Sequence, residues 1–150
     1  MSETATGGCQ CGRVRYSVEI DDDEAYLCHC RMCQRATGGV SIALKGVTRA
    51  KLTWITCEPD RYQSSPIATR GFCSNCGTPL TFEFIDGEAP GLDLTVGSFD
   101  DPYRFRPTSH FAIESRHDDW LNTGDLPGMR SEDNPSTRDR WIRATGKLPD

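Results

Sequence analysis

The sequence predicts a mainly β fold of many short strands and turns with little helix, and three observations carry that prediction. Apolar and polar residues alternate with period two in separate short runs. Fourteen Gly and nine Pro punctuate those runs with turns. Seven of the eight Cys stand in three tight groups, Cys9/Cys11, Cys28/Cys30/Cys33 and Cys73/Cys76. A hydrophobic content of 36% over 150 residues is low for a core of this size, and the mean hydropathy of -0.56 agrees. Clustered thiols point to metal as the support that apolar burial lacks. The chain reads as one domain over residues 1–130 with an appended tail over 131–150.

The folded part opens at Gly7-Gly8-Cys9-Gln10-Cys11-Gly12, where glycines on both sides let the backbone bend around an ion. Residues 13–20 (RVRYSVEI) alternate without a fault and predict a strand with one face on a core. Four acids at 21–24 follow, without the loop spacing of a calcium site, and predict a solvated turn. Tyr26-Leu27 then leads into Cys28-His29-Cys30-Arg31-Met32-Cys33. An extended backbone turns Cys28 and Cys30 to one face, and a tightening turn brings Cys33 beside them. Residues 34–39 allow one helical turn ending at glycine.

Strands are predicted at 40–44 and 52–56, with Cys57 alone at the end of the second. Residues 58–66 are polar and Pro-punctuated, which predicts a loop. A strand at 67–72 runs into Cys73-Ser74-Asn75-Cys76-Gly77, the form of a zinc knuckle: a turn aims two sulfurs at one ion and the glycine permits positive φ behind them. Further strands are predicted at 80–84 and 92–96 around an Asp86-Gly87 turn. The last third is turn-rich, with a strand at 110–113, Trp120-Leu121 as an anchor and a helix-like stretch at 137–144 that would dock through Trp141.

A net charge of -5 excludes nucleic-acid binding by phosphate neutralisation. The first eight residues have neither a basic start nor an apolar run, and no window has the apolar length of a membrane span. The expected setting is the cytoplasm, where eight cysteines serve as metal ligands or reactive thiols rather than as disulfides.

Joining the two pairs, Cys9/Cys11 with Cys73/Cys76, gives four thiolates and a closed tetrahedral zinc shell. The triple Cys28/Cys30/Cys33 is then left with an open position. Spacing alone leaves a second arrangement open, with the triple closed by Cys57 or His29, although His29 faces away from its neighbours in an extended run.

Three stretches, Thr6 to Tyr16 (TGGCQCGRVRY), Cys28 to Arg35 (CHCRMCQR) with Gly38-Gly39, and Gly71 to Gly77 (GFCSNCG), resemble the glutathione-dependent formaldehyde-activating enzyme family. Gly97-Ser98-Phe99-Asp100-Asp101-Pro102 and His110-Phe111 extend the resemblance over about residues 6–128. It implies short antiparallel sheets around the metal, a structural zinc on Cys9, Cys11, Cys73 and Cys76, and a second, exchangeable zinc on the catalytic Cys28, Cys30 and Cys33. It also implies condensation of glutathione with formaldehyde, formally a carbon–sulfur lyase activity.

An open three-thiolate zinc suits polar chemistry, in which a thiol adds to a small aldehyde or the reverse cleavage occurs. Three thiolates and one divalent ion leave a charge of -1, which Arg31 and Arg35 would offset, or they would grip a substrate carboxylate. Cys57 is expected as a buried free thiol. Gln34, Thr37 and Gly39 flank the open position, while His110 and His117 are expected in structural or surface roles. Two other readings compete. A non-catalytic zinc-stabilised binding module would carry a closed or vestigial triple, and a disulfide redox protein would use Cys30 and Cys33 as its dithiol.

Overall fold

The computed structural model describes residues 3–121, 124 and 126–148. Its first strand, β1 (Glu3–Gly8), pairs antiparallel with β2 (Arg15–Ile20) and sets Gly7 opposite Tyr16. The sequence reading started the folded part only at Gly7. β1 escaped it because ETATGG has no apolar side chain beyond Ala5 and shows no alternation. The alternation in β2 buries Tyr16, Val18 and Ile20 as expected. The acidic turn at 21–24 follows, tied down by Lys45 Nζ to Asp22 at 2.6 Å and Arg104 Nε to Asp23 at 2.7 Å.

Then come β3 (Ala25–Cys28), the helix α1 (Arg31–Thr37), β4 (Ile42–Thr48) and β5 (Leu52–Trp54). The chain continues through β6 (Asp60–Ser65), β7 (Ala68–Phe72), β8 (Pro79–Phe84), β9 (Gly91–Thr95) and β10 (Pro107–Phe111). Two sheets result, a three-stranded one in the order β1-β2-β5 and a seven-stranded one in the order β10-β3-β4-β9-β8-β7-β6. Among the described residues all strand pairs are antiparallel except β10 with β3. The segment between β9 and β10 is long enough to bring the chain back alongside β3 in the same direction.

Two differences from the sequence reading have plain causes. The polar stretch expected as a loop over 58–66 contains β6, the outer strand of the larger sheet. An edge strand bonds on one side only and is largely solvated, so it carries no apolar phase to read. The helix α1 starts at Arg31, earlier than the turn expected from Gln34, because Cys30 caps it: the Cys30 sulfur accepts a hydrogen bond from the Cys33 N–H at 3.2 Å.

The core gathers Tyr16, Val18, Leu80, Leu94, Phe99 and Phe105, together with Cys9 and Cys73. Tyr16 is its centre. The ring is fully buried, meets Trp54 and Phe99 edge-on at 5.8 and 5.5 Å, and its hydroxyl bonds Ser98 Oγ at 2.8 Å.

Chain contacts divide the protein after His117. The second unit contains α2 (Asp118–Leu121) and α3 (Pro135–Thr145), the latter covering the helix expected at 137–144. Trp120, expected as an anchor, is 58% exposed, and the side chain of Leu121 lies outside the described residues. Trp141 and Ile142 are exposed as well. Among the described residues no helix is long and apolar enough to cross a membrane.

Truncating the buried ring should separate core from surface. Tyr16→Ala is expected to destabilise the fold by about 3–5 kcal/mol, and Tyr62→Ala, at an exposed edge position, by less than about 1 kcal/mol. Chemical denaturation followed by circular dichroism measures both, and equal losses would contradict this placement of the core.

Candidate active site

Two knuckles form the first thiol group. After β1, the Cys9 N–H donates to Val14 O at 3.0 Å and the Gly12 N–H to Cys9 O at 3.1 Å. After β7, the Cys73 N–H donates to Thr78 O at 3.0 Å and the Gly77 N–H to Cys73 O at 2.7 Å. Gly12 and Gly77 sit at φ of 80° and 79°, a backbone that side chains disfavour. Each knuckle therefore turns tightly behind its sulfurs. The Thr78 hydroxyl clasps the two arms, accepting from the Gln10 N–H at 3.1 Å and donating to the Cys76 sulfur at 3.2 Å.

The sulfurs of Cys9, Cys11, Cys73 and Cys76 all lie within 4.8 Å of one another. Two of the separations are 3.6 Å, Cys9 to Cys11, and 3.7 Å, Cys11 to Cys73. Four sulfurs placed at about 2.3 Å from a tetrahedral zinc stand ~3.8 Å apart, so the donor set fits that ion. Hydrogen bonds already favour thiolate in part of this group: those from Thr78 bring the Cys76 thiol down to about 5, and Asn75 lowers Cys11, whereas burial pushes Cys9 up.

The second group is Cys28 at the end of β3, Cys30 at the cap of α1 and Cys33 in its first turn, again with sulfurs within 4.8 Å. Neither proposed fourth donor joins it. Cys57 is half-buried rather than buried and donates to Arg13 O at 3.3 Å. His29 is fully buried, stacked on His110 at 5.1 Å with Nε2 to Nδ1 at 2.8 Å, so its ring is turned toward β10.

A buried cation stands against the triple. Arg70 on β7 is 6% exposed, donates from Nη2 to the Cys33 sulfur at 3.3 Å, and lies 5.0 Å from the centre of the Phe82 ring. The Cys33 thiol falls to about 5, first through its hydrogen bond with Cys28 and then through Arg70, while Cys28 is pushed up by the same shared proton and by burial. Such a guanidinium offsets the charge of three thiolates around a divalent ion from inside the fold.

The triple opens on a cleft of about 480 Å³ bounded by Tyr26, Met32, Leu44, Phe82, Asp93 and Phe111, among others. Among the described residues Asp93 on β9 is its one carboxylate. It accepts a hydrogen bond from the Tyr26 hydroxyl at 3.0 Å, and burial raises its pKa above the usual carboxylate value of 3.8. Burial and the Asp93 charge likewise push Tyr26 up.

Arg31 and Arg35 stand elsewhere. Both are exposed on α1 and neither lines the cleft; Arg31 donates to Gln34 Oε1. Gln34 in turn bonds the backbone oxygens of His29 at 2.7 Å and Ser115 at 3.0 Å, and the Thr37 hydroxyl bonds Cys33 O at 2.9 Å. These two side chains fasten the loop. Arg70, Asp93 and Tyr26 were missed. A signal existed for Arg70, which is in phase with buried Ala68 along β7. Asp93 lies between the core residues Leu92 and Leu94 and therefore on the opposite face of β9, a face that reads as solvent until the cleft is seen.

Fold and site together define a β protein with two cysteine groups that can each hold a metal ion. A family model described as glutathione-dependent formaldehyde-activating enzyme matches residues 4–115, and the chain belongs to that family. An uncharacterized lyase of Schizosaccharomyces pombe is 29% identical over 84 residues, 56% of this chain and 61% of that relative, so less than two thirds of the relative's length is spanned. A crystal structure of a Rhodobacter sphaeroides protein shares the fold, with a TM-score of 0.57 at 19% identity over 71% of this chain and 99% of the other.

Removing the buried charge partner should loosen metal at the triple. Arg70→Met is expected to weaken that site about 10–100-fold, as loss of outer ligand partners commonly does, with the fold retained. Competition with a chromophoric chelator reads it, and an unchanged affinity would remove Arg70 from this role.

Proposed function

We propose that the protein is a zinc-dependent carbon–sulfur lyase that interconverts a thiol and a small aldehyde with their S-hydroxyalkyl adduct. Glutathione and formaldehyde are the pair that the family's name supplies. The observation that carries the reading is the contrast between the two thiol groups: four donors that satisfy one another, and three that open on a cleft holding an ionisable carboxyl. Structural zinc belongs on Cys9, Cys11, Cys73 and Cys76, and catalytic, exchangeable zinc on Cys28, Cys30 and Cys33. When bound there, zinc supplies Lewis acidity at one open coordination position.

The chain's own side chains do the rest. Arg70 holds the Cys33 sulfur as thiolate and balances the charge. Asp93 moves the proton. In cleavage its carboxylate takes the proton of the adduct hydroxyl as the carbonyl forms and the C–S bond breaks, and Asp93 returns that proton to the departing sulfur. Addition runs the same path backwards. A pKa raised from 3.8 suits both directions, and the Tyr26 hydroxyl fixes Oδ2 in place.

The proposal takes residues 1–130, which include the family match and the whole cleft lining, as the working domain and 131–150 as a tail. Eight free thiols support a cytoplasmic setting.

NMR exchange spectroscopy tests the activity. Exchange between formaldehyde, a thiol and their adduct should speed up on adding enzyme, and no acceleration with any thiol would end the lyase reading. Asp93→Asn should lower kcat by about 10²–10⁴-fold. Its effect on stability has the opposite sign. With a folded pKa raised above 3.8, Asp93 binds its proton more tightly folded than unfolded, so it erodes stability as pH rises from 3.8 through the raised value. The Asn variant should therefore be at least as stable as the parent at pH 7, measured by thermal denaturation.

A further inference from the structure

We infer that the thiol accepted by this cleft is neutral and apolar, an arylalkyl thiol rather than a carboxylate-bearing peptide such as glutathione. The inference rests on the carbon–sulfur lyase reading for its chemistry but stands on the lining of the cleft for its ligand class.

The cleft spans five neighbouring strands, β10-β3-β4-β9-β8. Leu44 and Asp93 on the two inner strands form its floor. Tyr26 pairs in register with Leu44, and Phe82 with Asp93. Aromatic pairs rise on either side: Tyr26 with Phe111 at 6.4 Å, and Phe82 with Phe84 at 5.3 Å, both edge-on. Met32 and Ile67 complete the rim. Met32, Ile67, Phe84 and Phe111, large apolar side chains that all line the cleft, are 45%, 55%, 46% and 63% exposed. A ligand that covers them removes that surface from water.

Charge decides between thiols where volume does not. A cleft of about 480 Å³ admits either class of adduct. Glutathione brings two carboxylates and one ammonium, however, and among the described residues no Lys or Arg lines the cleft to meet the carboxylates. Arg31 and Arg35 are outside it. Arg70 is buried and engaged with the Cys33 sulfur and the Phe82 face. The imidazole of His110 is shared with His29. Among the described lining residues Asp93 is the one carboxyl group; it can pair with the single ammonium of glutathione but offers nothing to its two carboxylates. An arylalkyl body meets no such penalty and finds ring faces and edges to pack on. The reaction keeps its balance: the adduct HO–CH₂–S–R loses its hydroxyl proton, the C–S bond breaks, formaldehyde leaves, and the sulfur regains a proton as HS–R.

Calorimetric titration of the purified, metal-bound full chain with 2-phenylethanethiol and with glutathione tests the ligand class directly. We expect 2-phenylethanethiol to bind at least tenfold more tightly. Ile67→Arg, at an exposed rim position, should cut that preference at least fivefold by giving glutathione a cation to pair with. Equal or tighter binding of glutathione to the parent protein, or a preference that Ile67→Arg leaves untouched, would overturn the inference. Formaldehyde release from the two S-hydroxymethyl adducts, run alongside, isolates the other failure. The predicted binding order with neither adduct cleaved would sink the lyase reading while the ligand class stands.

Discussion

Four sulfurs, from Cys9, Cys11, Cys73 and Cys76, come within 4.8 Å of one another and link an element of the smaller sheet to one of the larger. They come from the turn after β1 and the turn after β7, and two of them are themselves core residues packed among Tyr16, Val14 and Leu80. Backbone geometry prepares the meeting: Gly12 and Gly77 turn behind the sulfurs, and Thr78 bonds both arms. A metal closing that shell would contribute on the scale of the whole folding free energy of a small domain, roughly 10 kcal/mol or more.

The rest of the thiol chemistry follows from this closure. Because the four satisfy one another, Cys28, Cys30 and Cys33 are left as a three-donor group that, among the described residues, no fourth sulfur or imidazole joins. The fold then builds asymmetry around the triple. On one side is Arg70, buried and bonded to Cys33; on the other is a cleft with Asp93 and apolar walls. A buried cation behind a thiolate group stabilises charge without occupying the face that a substrate would use. A half-buried carboxyl in front supplies a proton carrier whose affinity burial has raised.

Much of this was legible in the sequence, and the exceptions share a cause. β2 read correctly because it alternates, with one face wet and the other dry. β1 and β6 did not read because the first is nearly devoid of apolar side chains and the second is a solvated edge. Thiol spacing located both groups, since a ligand loop imposes short, local separations. Spacing was silent about Arg70 and Asp93, which reach the triple from strands about 40 and 60 residues away and share no local pattern with it. The nearer Arg31 and Arg35 are exposed on α1 and neither lines the cleft. The parallel pairing of β10 with β3, which brings Phe111 to the cleft, is likewise a product of topology that no short window contains.

If one thiol group builds the fold and the other serves chemistry, the two metals separate by mutation. Metal content of the full chain purified without chelator is compared with that of a Cys28→Ser/Cys33→Ser variant and read together with far-ultraviolet circular dichroism. Two zinc ions are expected in the parent and one in the variant, with the spectrum unchanged. A variant that unfolds or that loses both ions would make the triple part of the scaffold and contradict the division of labour.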